Sequence, residues 1–159
     1  MLWCSILDLI QCIKSVLEDI SNKRFDEACK KIDEMIRIYG DIDQLWFLKG
    51  IVLVDLGKFN DAVESFEKAI KLGYEEEYLL VHYYGYALLQ TKRFDMAEKM
   101  FRKAIKFEDN PDIRALLLLS LLGQNKIEEA CKELKYIQKK WPNFSGIEFL
   151  EKDLENLCY

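Results

Sequence analysis

Proline, glycine and histidine are all scarce in this chain of 159 residues. Two prolines and seven glycines are too few for a fold rich in turns, so long helices are favoured over a β fold. The formal net charge of -5 shows that there is no excess of basic residues. Because phosphate binding needs clustered Lys and Arg, nucleic acid and anionic membrane are not expected as partners.

A long uncharged segment is also missing. The longest run without a charged residue covers residues 78–91, whereas a helix needs about 20 apolar residues to cross a bilayer. The apolar start, residues 1–13, lacks a basic n-region and contains Asp8. We therefore expect it to form the first helix and not a signal peptide.

The cysteine pattern does not indicate a disulfide scaffold. The five cysteines are odd in number and include no Cys-x-x-Cys pair; they are Cys4, Cys12, Cys29, Cys131 and Cys158. Free cysteine is among the residue types most often buried. We therefore expect reduced, buried thiols and a cytoplasmic location.

Residues for catalysis or metal binding do not form a recognisable set. The single histidine, His82, has no Ser or Cys at motif spacing, and zinc needs about four converging Cys or His ligands. Gly-rich phosphate loops and dinucleotide fingerprints are missing from the sequence. The sequence predicts no enzyme activity, no cofactor and no metal.

What the sequence does contain is a repeated seven-residue phrase. Its final alanine lies at positions 28, 62, 97 and 130, and the four copies read NKRFDEA, LGKFNDA, TKRFDMA and QNKIEEA. A regular step of 33 to 35 residues is typical of stacked helical hairpins. Within the phrase, Asp26, Asn60 and Asp95 are predicted to accept hydrogen bonds from free amides at the start of a helix.

Two glycines predicted to lie within helices occupy the same position in consecutive repeats. Gly50 and Gly85 each precede the alanine of the following phrase by twelve residues. A glycine inside a helix costs about 1 kcal/mol relative to alanine. Its recurrence therefore predicts a close approach between helices.

The two central repeats resemble the tetratricopeptide repeat (TPR) pattern of Trp, Gly, Ala, Phe and Ala. The residues that carry the resemblance are Trp46, Gly50, Ala62, Phe66 and Ala69 in the second repeat, and Gly85, Leu88, Ala97, Phe101 and Ala104 in the third. The outer repeats depart from the pattern, as end repeats of an array often do. The first has Val16, Ile32 and Met35 at the Gly, Phe and second Ala positions, and the fourth has Leu118, Leu134 and Ile137 there.

The resemblance implies an all-α fold, a right-handed α-solenoid of about four helical hairpins, in one domain over residues 1–159. We expect repeats at about 3–40, 43–75, 76–110 and 111–142, followed by a capping helix at 145–157. The predicted helix pairs are 3–21 and 25–39, 43–56 and 59–72, 76–90 and 94–107, and 111–122 and 127–140.

In this family the first helices of the hairpins form a concave groove that usually binds peptides. Counting along those helices predicts an apolar groove that includes Phe47, Leu48, Ile51, Leu79, His82, Tyr83, Tyr86 and Leu119. One branch of the family binds a C-terminal carboxylate with Lys, Asn and Arg side chains in the groove. These residue types are missing from the predicted set, so a carboxylate-binding groove is not expected. The groove is therefore expected to bind a protein or peptide partner that is apolar or amphipathic.

Three alternatives remain open at this stage. The chain could shield a client segment as a small chaperone, or self-associate as a homodimer through its apolar surface. An apolar tail stripe could instead fill the groove or cover the last repeat; it consists of Phe144, Ile147, Phe149, Leu150, Leu154 and Leu157. RNA binding by a helical repeat is less favoured, because the groove lacks Lys and Arg.

Overall fold

The computed structural model describes residues 6–148, 154, 157 and 158. Over this part of the chain there are eight α-helices before residue 141 and no strand, which confirms the all-α fold of helical hairpins. The helices are α1 (Ile6–Ser21), α2 (Phe25–Tyr39), α3 (Asp43–Asp55), α4 (Phe59–Leu72), α5 (Tyr78–Gln90), α6 (Phe94–Phe107), α7 (Pro111–Gly123) and α8 (Ile127–Lys140). None of the helices described is long and apolar enough to cross a membrane.

The chain divides into two compact units, Met1–Glu76 and Glu77–Tyr159. The first unit contains the hairpins α1–α2 and α3–α4, and the second contains α5–α6 and α7–α8. Within each unit, the second helix of the first hairpin packs on the first helix of the next one. This order of contacts is what a stack of hairpins requires. The prediction of one domain for the whole chain stays a prediction.

Each central hairpin closes through a contact between a glycine and a phenylalanine. A Cβ atom placed on Gly50 would lie 2.5 Å from the Phe66 ring, and one on Gly85 would lie 2.9 Å from the Phe101 ring. Both phenylalanines are fully buried. The two glycines therefore leave the space that the rings fill, and the predicted close approach of the helices is confirmed.

The outer hairpins fill the same positions with side chains of more equal size. Val16 and Ile32 are both fully buried in the core of the first unit. Leu118 and Leu134 are fully buried at the corresponding positions of the last hairpin. Two medium-sized side chains thus replace the combination of a glycine and a phenylalanine. Cores accept such exchanges when the total volume is kept.

In the turn inside each hairpin, one residue at the same position of the repeat has a left-handed backbone conformation. These residues are Lys23, Gly57, Lys92 and Asn125, with φ between 58° and 72°. In each turn the following residue donates its backbone N–H to the carbonyl five positions earlier, as Arg93 does to Leu88 at 2.9 Å. These hydrogen bonds close the C-terminus of the first helix. The turn geometry is therefore repeated even where glycine is not.

The predicted helix caps are wrong. The residues that precede the second helices are Arg24, Lys58, Arg93 and Lys126, and none of them makes a side-chain capping hydrogen bond. Asp26, Asn60 and Asp95 lie one position inside their helices. Because the left-handed turn already sets the entry of the chain, no side-chain cap is formed. The acidic Asp26 and Asp95 can still favour the helix N-terminus through its dipole.

The expectation of reduced thiols is also wrong for two of the cysteines. Cys131 of α8 and Cys158 form a disulfide, with Cα atoms 5.5 Å apart. Cys12 and Cys29 are free and half-buried, and burial raises the pKa of the Cys29 thiol. The pairing was not predictable from spacing, because it joins residues that only tertiary packing brings together.

The residues after α8 lie partly within the described chain. Glu148, Leu154, Leu157 and Cys158 are helical, and the rest of the predicted capping helix, including Phe149 and Leu150, lies outside the described residues. Ile147 and Leu154 are buried, whereas Leu157 is exposed. With Cys158 bonded to Cys131, the described end of the chain is held at α8, the second helix of the last hairpin.

We predict that Gly50→Ala destabilises the chain although alanine is the better helix former. In an open helix the change would stabilise by about 1 kcal/mol. Here the new Cβ meets the Phe66 ring, and overpacking of this kind costs about 1–3 kcal/mol. Urea denaturation should therefore give a lower free energy of unfolding for the variant.

The double variant Gly50→Ala/Phe66→Leu is the matched control, because leucine removes the ring atoms that would clash. We expect its loss of stability to be smaller than the sum of the two single losses. Additive losses, or a Gly50→Ala variant more stable than the wild type, would contradict the close contact.

Candidate functional site

Helix α5 is apolar on every side, yet part of it is exposed. Its sequence, YLLVHYYGYALLQ, contains no Asp, Glu, Lys or Arg. A helix of this kind is usually buried all round. Leu79, however, is 46% exposed, and His82, Tyr83 and Tyr86 are only partly buried. These four residues have the spacing of one helix face, so α5 presents a continuous apolar and aromatic stripe.

Helix α7 lies beside α5 and presents a second stripe. The two helices contact each other. In α7, Leu116 and Leu119 are only partly buried, whereas Ile113, Leu117 and Leu121 are buried. We call the set formed by Leu79, His82, Tyr83, Tyr86, Leu116 and Leu119 the α5–α7 surface. It belongs entirely to the second unit.

One asparagine connects the starting ends of the two helices. Asn110 accepts a hydrogen bond from the backbone N–H of Ile113 at 3.0 Å and so caps α7, with Pro111 at the first helical position. Its amide lies 3.3 Å from the Tyr78 hydroxyl, to which it donates, and 3.1 Å from a Glu108 carboxylate oxygen. Tyr78 and Glu108 are thereby held at one end of the α5–α7 surface.

His82 sits among aromatic rings near this end. Its ring centroid is 5.7 Å from that of Tyr78 and 5.4 Å from that of Tyr83. Burial lowers the pKa of His82, and the nearby carboxylates of Asp112 and Glu108 act in the opposite direction. The net effect is a lowered pKa, so the imidazole is neutral at pH 7 and contributes an aromatic face and hydrogen-bonding atoms, not a charge.

Arg114 is the only Lys or Arg in α5 and α7, and it forms ion pairs with carboxylates outside the α5–α7 surface. Arg114 donates to Asp109 at 2.6 Å and to Glu133 at 2.7 Å, and its guanidinium lies 3.9 Å from the centroid of the Tyr136 ring. Lys140 also donates to Asp109, at 2.7 Å. The Arg114 hydrogen bond is the main cause that lowers the pKa of Asp109 to about 2. These ion pairs join the start of α7 to α8.

The residues predicted for the groove fall into two groups. Leu79, His82, Tyr83, Tyr86 and Leu119 belong to the α5–α7 surface. Leu48 and Ile51 of α3 are partly buried in the first unit, where Leu48 packs against the core. Phe47 requires a correction, because it is only 6% exposed and stacks on Tyr74 at 4.3 Å. Counting along α3 could not show this, because Tyr74 belongs to the segment after α4.

Tyr78, Glu108 and Asn110 were missed. Tyr78 is four residues before His82 and hence on the same helix face, a spacing that could have identified it. The Asn110–Pro111 pair is a helix-start pattern, and it could have located the end of the surface. Nothing in the sequence around Glu108 indicates its hydrogen bond to Asn110.

Comparison with known families and proteins is consistent with this repeat geometry. The family model described as tetratricopeptide repeat matches residues 43–72 and 83–111. A TPR repeat-containing protein of Methanocaldococcus jannaschii is 30% identical over 124 residues, which is 74% of this chain. The match covers 21% of that protein, so this chain spans about a fifth of the length of its curated relative.

Solved structures share the fold at low identity. Residues 41 to the end of MamA from Desulfovibrio magneticus RS-1 superpose with a TM-score of 0.77 and 19% identity, over 93% of this chain and 87% of that one. YrrB, described as a TPR protein with an unusual peptide-binding site, gives a TM-score of 0.73 and 18% identity over 82% and 68%. At these identities the likeness concerns the fold alone.

We predict that Asp109→Asn destabilises the second unit in a manner that depends on pH. The pKa of Asp109 is lowered in the folded chain, so its contribution is present above its ordinary pKa and is lost as the pH falls toward about 2. At pH 7 the loss should be about 2 kcal/mol, the scale of hydrogen bonds to a charged group. The difference between wild type and variant should shrink steadily below pH 4.

Denaturation by urea at several pH values measures this difference. Glu64→Gln, at an exposed position of α4 outside its first turn, controls for the loss of one negative charge and should change stability little at any pH. A difference between wild type and Asp109→Asn that stays constant from pH 7 to pH 2 would contradict the role assigned to the Asp109 carboxylate.

Proposed function

We propose that this chain, which belongs to the tetratricopeptide repeat family, is a protein-interaction module that binds a segment of another polypeptide on the α5–α7 surface. One observation carries the proposal: a helix without a charged residue leaves Leu79, Tyr83 and Tyr86 accessible. Contiguous apolar surface of this kind usually marks an interface, because exposing it to water costs free energy. A catalytic role is not part of the proposal.

The composition of the surface favours an apolar or amphipathic segment. Partly exposed tyrosines offer large contact areas with few rotatable bonds, and aromatic residues often dominate binding energies. Leu116 and Leu119 add an aliphatic wall beside them. The peptide-binding site named for YrrB supports this class of partner by analogy of fold alone. A chaperone that shields a client segment would use the same contacts.

RNA binding has less support. Arg102 of α6 pairs with Glu98 at 2.7 Å and Glu129 at 2.9 Å, and Lys140 pairs with Asp109. Basic side chains engaged in this way are less available for phosphates, which supply most of the affinity of such proteins for RNA.

Self-association is the second candidate, and α1 is the observation in its favour. Ile6 and Leu7 are 78% and 75% exposed, and Ile10 and Leu17 are also exposed on the same helix. The spacing of Ile6, Ile10 and Leu17 places them along one stripe. A cavity of about 400 Å³ lies next to this helix, between Cys12, Met35 and Ile38. A second copy of the chain could bury this apolar surface.

A cytoplasmic location remains a proposal. The free thiols of Cys12 and Cys29 support it. The disulfide between Cys131 and Cys158 is unusual for a reducing compartment.

We expect Tyr83→Ala/Tyr86→Ala to weaken peptide binding strongly. Selection from a phage-displayed library of random peptides on the immobilised wild type should yield binders, and fluorescence anisotropy should measure their affinity. Removing two aromatic contacts should weaken binding at least tenfold. The control Ile38→Ala/Ile70→Ala removes exposed apolar side chains from α2 and α4 and should leave the affinity unchanged. Equal binding by wild type and the tyrosine variant would refute the site.

Light scattering distinguishes the two candidates. The leading proposal predicts a monomer for the wild type and for Tyr83→Ala/Tyr86→Ala, because the α5–α7 surface is reserved for another polypeptide. A wild-type dimer that Ile10→Glu/Leu17→Glu dissociates would support self-association through α1. A dimer that the tyrosine variant dissociates would instead assign the α5–α7 surface to a second copy, and the leading proposal would fail.

A further inference from the structure

The α5–α7 surface has an acidic, aromatic end. Asp112 in the first turn of α7 and Glu108 just before the helix are both exposed. The Asn110 amide nitrogen lies 3.1 Å from a Glu108 carboxylate oxygen and 3.3 Å from the Tyr78 hydroxyl. The Tyr78 ring lies next to that of His82, and both carboxylates act electrostatically on His82. Negative charge and aromatic faces are therefore concentrated at the same end.

These carboxylates lack a positive partner. Among the residues that the structure describes, none forms an ion pair with Asp112 or Glu108 within 4.0 Å. Arg114, the one basic residue of the two helices, is held by Asp109 and Glu133. The ring of His82 is neutral at pH 7, as derived above. Within the described part of the chain, the negative charge at this end of the surface is therefore not engaged in an ion pair.

The arrangement is held in place before any ligand arrives. The side-chain nitrogen of Asn110 donates hydrogen bonds to Tyr78 and Glu108, and its side-chain oxygen accepts one from the start of α7. A carboxylate oriented in this way needs less ordering when a ligand binds. Asp112 lies in the first turn of the same helix.

Resting on the proposed function, we infer that the segment bound by the α5–α7 surface is a basic amphipathic one. Its Lys or Arg lies at the end of the surface, against the rings of Tyr78 and His82 and the carboxylates of Asp112 and Glu108. Its apolar side chains lie on Tyr83, Tyr86 and Leu119. A cation above an aromatic face is attracted by the ring quadrupole, and a nearby carboxylate adds a charge-assisted hydrogen bond.

Charge complementarity also determines what the surface rejects. An acidic segment would place like charges together at the end defined by Asp112 and Glu108, which disfavours binding. A purely apolar segment would leave both carboxylates next to uncharged groups and lose part of their hydration. Specificity for a basic residue at one end of the segment follows from these two costs.

The test begins with the sequences of the peptides selected from the random library on the wild type. We expect Lys or Arg next to one end of an apolar stretch. The affinity of the best such peptide should fall about five- to tenfold for Glu108→Gln/Asp112→Asn, and less at high salt. The matched control Asp95→Asn/Glu128→Gln removes two exposed carboxylates from α6 and α8 and should bind normally.

Charge reversal tests whether the two carboxylates determine which peptide is preferred. A purely structural role of Glu108 and Asp112 would not change the preference from a basic to an acidic peptide. Glu108→Lys/Asp112→Lys should prefer the same peptide with Glu in place of its basic residues. Circular dichroism should show wild-type helicity for each variant. A failure of the reversed pair to exchange preferences would overturn the inference.

The outcomes separate the inference from the proposed function. Selected peptides without Lys or Arg whose binding still depends on Tyr83 and Tyr86 would overturn the inference and leave the proposed function intact. Peptides that bind the Tyr83→Ala/Tyr86→Ala variant as well as the wild type would overturn both. A selection that enriches nothing above an empty support would also contradict both.

Discussion

The contact between a helical glycine and a buried phenylalanine is the constraint on which the two central hairpins depend. Gly50 lies against Phe66, and Gly85 lies against Phe101. Each ring occupies the space of a missing side chain, and this brings the two helix backbones close together. The small alanines Ala62 and Ala97, both fully buried, belong to the same close packing. Dense packing leaves little room for adjustment, so the hairpin has one way to close.

Close pairing explains why the two helices of a hairpin have different compositions. A second helix such as α6 buries one stripe, which includes Ala97, Phe101 and Ala104, and carries charged residues elsewhere. A first helix such as α5 buries seven of its 13 residues, whereas α6 buries four of 14. Burial on several sides selects an apolar sequence all round. The side that remains accessible is then apolar too, and that side is the α5–α7 surface.

How far sequence reasoning reached depended on the range of each interaction. The helix pattern and the glycine contacts were predictable, because a fixed helical phase determines which residues meet. The predicted capping role of Asp26, Asn60 and Asp95 was wrong, because the cap position falls two residues earlier, directly after the left-handed turn residue that ends each first helix. Phe47 was predicted to line the groove, but its ring stacks on Tyr74, a contact with another segment that spacing along α3 does not show.

The sequence by itself determined the repeat, its period and the apolar nature of the first helices, because these follow from local spacing and helix geometry. Only the tertiary structure decided which polar groups meet. The pairing of Cys131 with Cys158, the ion pair of Arg114 with Glu133, and the hydrogen bond from Asn110 to Tyr78 all join different elements. Such contacts depend on how whole helices are oriented in space, and no periodicity along the chain encodes that orientation.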